Sequence, residues 1–318
     1  MKTVKAVAPY IYPGGINFKH KPYEAWVELG GQVAPAHYPL RFLHGIAFRY
    51  ELSTTLKKLS LTLSLKDSAR LRFVQPWTIE FDTFPDYALY EVIPFFWDVW
   101  PENFEKTFSW LKRHKVKTAI FTSSQVADIV RERFPEMNVL AVTEGIDVDG
   151  YHEGLPLMER NIDFLEYGRE IDSIVRYDVD DKINYVRGKK NGKPIFSQEE
   201  LISNLSNAKV VAAYPKSWTN PDEAGGIETL TQRYWESMLS GCVMIGHAPQ
   251  ELVDLVGYNP VVEVDKDDAN AQLLDVTSRI EDYQTLVDKN RAMALKFGDW
   301  EYSMQKVMTF LQDNGYKL

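Results

Sequence analysis

Glu228 and Glu236 stand with seven residues between them in the run Glu228-Thr-Leu-Thr-Gln-Arg-Tyr-Trp-Glu236, directly ahead of Ser240-Gly-Cys-Val-Met-Ile-Gly246. The Gly-rich approach Glu223-Ala-Gly-Gly226, an amphipathic stretch, Gly241 and an apolar run predict loop, helix, turn and buried strand. At 3.6 residues per turn, one carboxylate then sits at the helix N-terminus and the other about two turns later. A helix N-terminus favours an anion. A carboxylate placed there either caps backbone N–H groups or accepts hydroxyl hydrogen bonds from a ligand whose phosphates lie on the same amides. A sugar nucleotide has both parts. Glutamates at such spacing also occur on plain solvated faces. Here the flanking glycines and the apolar run put the helix at the edge of a sheet, where strand ends form a ligand crevice in open α/β folds.

Other residues could carry charge chemistry. Lys216, in Tyr214-Pro-Lys-Ser-Trp-Thr-Asn-Pro221, follows a predicted strand and precedes the glutamate pair. A cation there can neutralise a departing diphosphate; an ordinary loop lysine is the other reading. Two Asp-x-Asp matches, Asp147-Val-Asp149 and Asp178-Val-Asp180, could in principle offer hard oxygen ligands. Among 45 acidic residues such matches arise by chance, so both read as solvated loop and no essential metal is expected. The basic run Arg187-Gly-Lys-Lys-Asn-Gly-Lys193 reads as a hairpin tip, with an acidic-lipid or anionic-acceptor contact as the alternative. Cys242 is the single cysteine, which rules out an internal disulfide framework. It reads as a buried thiol.

The elements that must position these residues alternate along the chain. Thr3 to Ile11 is a β-rich run closed by Pro13-Gly14-Gly15, with a helix from near Pro22; such glycines let backbone approach a phosphate or sugar, or simply make a turn. Leu71 to Gln75 and Tyr90 to Phe96 read as buried strands, and Glu102 to His114 and Gln125 to Phe134 as helices; no element is assigned over Arg41 to Lys66. After Gly145 the pattern restarts, with strands at Ile162 to Tyr167, Ile183 to Arg187 and Lys209 to Ala213. Helices are predicted over Glu170 to Tyr177 and Gln198 to Leu205. Beyond the glutamate pair come strands at Val243 to Ile245 and Val261 to Val264, a helix from Gln250, and a helical tail ending in Trp300 to Gln312. Strands alternating with helices imply parallel sheets with right-handed crossovers. At 318 residues and 45% hydrophobic content, two domains fit best. A net charge of −9 argues against a nucleic-acid surface. No apolar run is long enough to span a membrane, and Met1-Lys-Thr-Val-Lys5 leads into a strand instead of a signal segment, so a soluble cytoplasmic protein is expected.

Taken in order, these motifs resemble the retaining GT-B glycosyltransferases of the group-1, family-4-type class. Val7-Ala-Pro-Tyr-Ile-Tyr-Pro-Gly14-Gly15 resembles the first strand and glycine loop, and Ile120-Phe-Thr-Ser-Ser124 the last N-domain strand and its serine. Asn138 to Asp147, ending Gly145-Ile-Asp, resembles the interdomain crossover, and Leu165-Glu-Tyr-Gly168-Arg169 the Gly-Arg turn of the second domain. The resemblance implies two Rossmann-like α/β domains with parallel sheets facing across a cleft: residues 1–142 on the acceptor side, 143–297 binding the donor, and 298–318 a helix returning to the first domain. It implies transfer of a sugar from an NDP-sugar to a glycan or other hydroxyl acceptor, with retention and with no cofactor besides that co-substrate. Polysaccharide or glycoconjugate assembly and a lipid-linked acceptor at the inner face of a membrane follow only as family analogy. Glu228 is then expected at the sugar hydroxyls, Glu236 at the ribose, and Arg169 at the diphosphate. Gly14, Gly15, Thr229, Leu230 and Thr231 are the further donor-binding candidates, and Lys216 and Asp98 join Glu228 and Arg169 as catalytic candidates. The lysine that the family carries a few residues after the Gly-Arg turn is missing from Glu170-Ile-Asp-Ser-Ile174, which leaves Lys216, Arg176 and Arg233 as candidates for the second phosphate cation. Trp97 stands where the family often has histidine, as a sugar-stacking or a core aromatic. Thr231 stands where the family often has glycine. A nucleotide-sugar epimerase on the same fold, or a non-catalytic sugar-nucleotide or glycan-binding module, are the alternatives.

Overall fold

The protein is seen in a computed structural model that describes residues 2–9, 20–40, 67–76, 83–169, 171–172, 174–179, 181–190 and 193–318. Gly14, Gly15, all of Arg41 to Lys66 and Asp180 lie outside the described residues. In chain order the first elements are β1 (Lys2–Val7), α1 (His20–Glu28), β2 (Val33–Ala34), β3 (Asp67–Val74), α2 (Asp86–Leu89), β4 (Tyr90–Phe96), α3 (Phe104–Arg113), β5 (Thr118–Phe121), α4 (Ser124–Arg133) and β6 (Asn138–Ala141). Then come β7 (Ile162–Glu166), β8 (Tyr185–Arg187), the strands β9 (Lys189–Lys190) and β10 (Lys193–Pro194), α5 (Gln198–Ser206), β11 (Ala208–Ala213), α6 (Lys216–Thr219), α7 (Pro221–Ala224) and α8 (Gln232–Leu239). The chain closes with β12 (Val243–Gly246), α9 (Gln250–Val256), β13 (Val262–Glu263), α10 (Ala269–Ser278), α11 (Gln284–Phe297), α12 (Trp300–Asp313) and β14 (Tyr316–Lys317).

Two compact units result: Met1–Thr143 with Trp300–Leu318, and Glu144–Asp299. The first holds a seven-stranded parallel sheet in the order β14-β1-β3-β4-β5-β6, with β2 also on β1. Inward residues of adjacent strands, Val4, Ala6, Leu71, Phe73, Ile93 and Phe95, share one apolar cluster with Trp26 of α1 and with Trp300, Met304, Val307 and Leu311 of α12. The helix at the end of the sequence therefore completes this unit's core, and Ser303 Oγ donates to the Thr143 carbonyl at 2.8 Å. Trp97 is buried against Phe95 and Trp300. Of its two readings the structure takes the core one.

The second unit holds a five-stranded parallel sheet in the order β13-β12-β11-β7-β8. Side chains alternate across a strand, so Leu165, Val211, Ala213 and Met244 face one core with Tyr234, Trp235 and Met238 of α8. Their neighbours Phe164, Val210, Ala212, Val243 and Ile245 face the other with Leu273, Val276 and Val287. Both faces are covered, which is the condition for an all-parallel sheet of near-continuous apolar strands.

Two expectations fail here. The helix predicted over Glu170 to Tyr177 is not formed among the described residues. Val175, Tyr177 and Val179 are buried while Arg176 and Asp178 are exposed, a period of two that suits extended chain. The other is the helix expected to begin at Glu228, which starts only at Gln232. The basic run Arg187 to Lys193 does form a hairpin, with β9 and β10 antiparallel. No helix among the described residues is long and apolar enough to cross a membrane.

Candidate active site

In doubly wound sheets the ligand crevice opens at the carboxyl ends of the strands where the order reverses. In the second unit that point lies between β7 and β11, since β8 follows β7 outward on one side and β11, β12 and β13 follow on the other. The residues leaving those strand ends are Tyr167-Gly168-Arg169 after β7, Tyr214-Pro-Lys-Ser217 after β11, and His247 after β12. Topology alone thus selects Arg169, Lys216 and Ser217.

Glu228 reaches the same place, though not on a helix. α7 ends in Gly225 and Gly226, both at positive φ, and residues Ile227 to Thr231 then run without helix until α8 begins at Gln232. Thr231 precedes the helix with extended backbone and makes no side-chain cap. The reason is tertiary: Leu230 is fully buried and its N–H donates to Glu251 Oε2 at 3.0 Å, which fixes the segment in extended form. The expectation of a carboxylate at the helix N-terminus is therefore corrected, and the Leu230 amide is already engaged. Thr229 is buried beside it.

Glu228 Oε1 accepts from Ser217 Oγ at 3.2 Å and faces His247 Nε2 at 3.5 Å. His247 Nδ1 lies 2.6 Å from Glu263 Oε1, and its ring stacks on Trp218 with centroids 4.5 Å apart. Beside them, Ile174, Ser217, Trp218 and Lys266 line an open cavity of about 360 Å³. Tyr234 of α8, fully buried, ties to the same strand end. Its hydroxyl donates to the His247 carbonyl at 2.7 Å. Burial pushes its pKa well up, and the charges of Arg233, Glu228, Arg169 and Glu263 all act on it.

Of the cations, Lys216 is held by Glu223 at 3.0 Å. Arg176 is exposed. Arg233 lies over the Tyr167 ring and against Gly168, and its buried Nε and Nη1 have no hydrogen-bond partner among the described residues. Buried and unpaired N–H groups on a charged side chain are costly, and Arg233 carries two of them at the β7 strand end.

Glu236 does sit on α8, with its carboxyl packed inside the unit. Tyr151 Oη donates to its Oε1 at 2.9 Å, and Gln198 Nε2 donates in turn to that hydroxyl at 2.9 Å. Burial raises the Glu236 pKa, against opposing effects of the Tyr151 hydrogen bond and the Arg233 charge. Cys242 is buried with its thiol pushed up to about 11 by burial, as expected of an inert thiol. Asp98 belongs to the first unit, with its backbone N–H on Thr122 Oγ1 at 3.4 Å and φ of 36°. That positive φ is uncommon for a residue with a side chain and recurs at functional positions. No group of three or more His, Cys, Asp or Glu among the described residues could hold a metal ion.

Ser217, His247, Glu251 and Glu263 escaped sequence reasoning. His247 alone left a signal, since it directly follows the apolar run Val243 to Gly246, where a strand's carboxyl end must lie.

No protein-family model and no curated protein matches the chain. Solved structures do. Sucrose-phosphate synthase from Thermosynechococcus elongatus superposes with a TM-score of 0.62 at 11% identity, covering 99% of each chain. HepE from Anabaena, in complex with UDP and glucose, superposes at 0.57 and 13% identity, covering 98% of this chain and 100% of its own. An alpha-glucosyltransferase in complex with UDP and a DNA 13-mer superposes at 0.53 and 10% identity, with coverage of 98% and 100%. At such identities the likeness establishes the fold: this chain has the α/β GT-B fold of glycosyltransferases.

Proposed function

We propose that the protein is a glycosyltransferase that moves a sugar from a nucleoside diphosphate sugar to a hydroxyl acceptor, with retention. The observation that carries this reading is that Glu228 meets Ser217 just beyond β11 at 3.2 Å while Arg233 packs on Gly168, next to Arg169, just beyond β7, the two strand ends that flank the reversal point of the second sheet. A carboxylate at one strand end and two guanidiniums at the neighbouring one suit a ligand with hydroxyls at one end and a diphosphate at the other, because planar guanidiniums pair with phosphate in two-pronged fashion. Similar folds solved with UDP and glucose add support.

In this mechanism Arg169 and Arg233 take up the charge that develops on the departing diphosphate, the largest demand on such a site. Lys216, shared with Glu223, adds to the field. Glu228 accepts from sugar hydroxyls and orients the ring; Glu236 takes the ribose hydroxyls in exchange for part of its bond from Tyr151. Asp98 serves the acceptor side, and polysaccharide or glycoconjugate assembly is the setting we propose. The charge is met by protein groups, so the reaction needs no divalent ion.

A thermal-shift panel of UDP, GDP, ADP and their sugars tests the reading, since a ligand of the native state raises its stability. Stabilisation followed by transfer or slow hydrolysis of the sugar supports it. Isomerised donor would point to an epimerase, and binding without turnover to a binding module. No stabilisation by any member of the panel would overturn it.

A further inference from the structure

His247 is built into the second unit at four points. Its N–H donates to the Ala213 carbonyl at 2.9 Å, and its carbonyl accepts from Tyr234 Oη at 2.7 Å. Its ring lies on Trp218 at an interplanar angle of 15°. Its Nδ1 lies 2.6 Å from Glu263 Oε1, and because a carboxylate only accepts, Nδ1 carries the hydrogen of that bond. Backbone, ring plane and one ring nitrogen are thereby fixed, and the other, Nε2, faces Glu228 Oε1 from 3.5 Å; since that carboxylate too only accepts, the two form an ion pair when both ring nitrogens carry a hydrogen.

The far side of the clamp is the short helix α6. Ser217 donates to Glu228, while the next residue, Trp218, supplies the surface on which His247 stacks. Lys266 Nζ sits 3.6 Å from the centre of the Trp218 ring, a cation–π contact that steadies the indole. A glutamate on a segment without helix has no backbone ladder to hold its side chain. Here Ser217 of α6 and His247 just beyond β12, backed by Glu263 of β13, hold it.

We propose that His247 is the positioning residue that holds Glu228 for the donor sugar, and that Glu263 acts through His247. The proposal rests on the glycosyltransferase reading of Glu228. A group that orients the sugar and leaves the nucleotide alone changes turnover and spares nucleotide affinity.

The test uses the full chain with the nucleotide and NDP-sugar that the panel identifies. His247→Ala should lower kcat by roughly 100-fold, the scale of a misplaced orienting group. Its affinity for UDP, GDP or ADP, whichever binds the wild type, should stay within about twofold, because the nucleotide contacts do not involve the imidazole. His247→Gln, whose amide can reach Glu228 in place of Nε2, should recover part of the rate and serves as the second variant if the alanine protein fails to fold. Glu263→Ala should lower kcat in the wild type and add nothing to His247→Ala, since residues acting in series are non-additive. Wild-type kcat in His247→Ala, or additive losses in the double variant, would overturn the inference alone. A wild type with neither nucleotide binding nor turnover would overturn the reading of function and the inference with it.

Discussion

Substituting Gly168 by alanine tests the joint claim about backbone and ligand site. Gly168 has φ of 81°, and a Cβ built there would lie 2.5 Å from the Arg233 guanidinium carbon. The left-handed backbone costs a residue with a Cβ about 1–2 kcal/mol. Arg233 ends a flexible chain, so its guanidinium swings aside instead of unfolding the unit, and the clash adds little to that cost. In a unit of this size the loss should lower Tm by about 2–8 °C. The displaced guanidinium no longer meets the diphosphate, and hydrogen bonds to charged groups contribute about 1.5–3 kcal/mol. Nucleoside diphosphate affinity should therefore fall roughly 10- to 150-fold. Calorimetric melting and titration with the preferred nucleotide measure the two effects separately. In a background of Arg233→Gln the alanine should cost stability but no further affinity, because the shared partner is gone. A folded Gly168→Ala protein with wild-type nucleotide affinity would refute the placement of Arg233 in the ligand site, and an unchanged Tm would refute the backbone argument.

Glu228→Gln should leave nucleoside diphosphate affinity nearly intact while lowering turnover, as measured by titration beside steady-state kinetics; an active Glu228→Ala enzyme would show that the carboxylate is structural. Glu236 has a folded pKa raised by burial, so its protonated form is the one the native state favours: that contribution is present below the ordinary carboxylate range and is lost as pH rises through the raised value. Glu236→Gln should thus be more stable than wild type at pH 7, with the gap closing in acid below about pH 4, while nucleotide binding weakens by about 1–3 kcal/mol; urea melts across pH and calorimetry read both. Donor turnover should persist in excess EDTA, and Arg169→Ala should cut it by roughly 100-fold; activity lost to EDTA and restored by Mg²⁺ or Mn²⁺ would return the Asp-x-Asp segments to consideration.

The sequence by itself determined what depends on local pattern. Apolar runs such as Tyr90 to Phe96 and Val243 to Ile245 read as buried strands from their pattern, and the alternation of strands with amphipathic helices specified the α/β class. The order of short motifs was enough to anticipate the fold shared with sucrose-phosphate synthase and HepE. What the sequence left open were the points where a distant residue overrides local preference. Ile227 to Thr231 reads as the start of a helix until Glu251, 21 positions from Leu230, takes the amide. Glu170 to Tyr177 reads as helix until the sheet face beside it demands a period of two from Val175 to Val179. Lys216 and Arg233 are both plausible cations in a string of letters, and only packing reveals that one is paired with Glu223 while the other has two buried N–H groups with no hydrogen-bond partner among the described residues. His247 comes to Glu228 because β11 and β12 lie side by side, with Ala213 opposite Gly246. Short-range propensity is written along the chain; which carboxylate, hydroxyl or imidazole meets which is decided by strand register and burial, and those exist only once the sheet has formed.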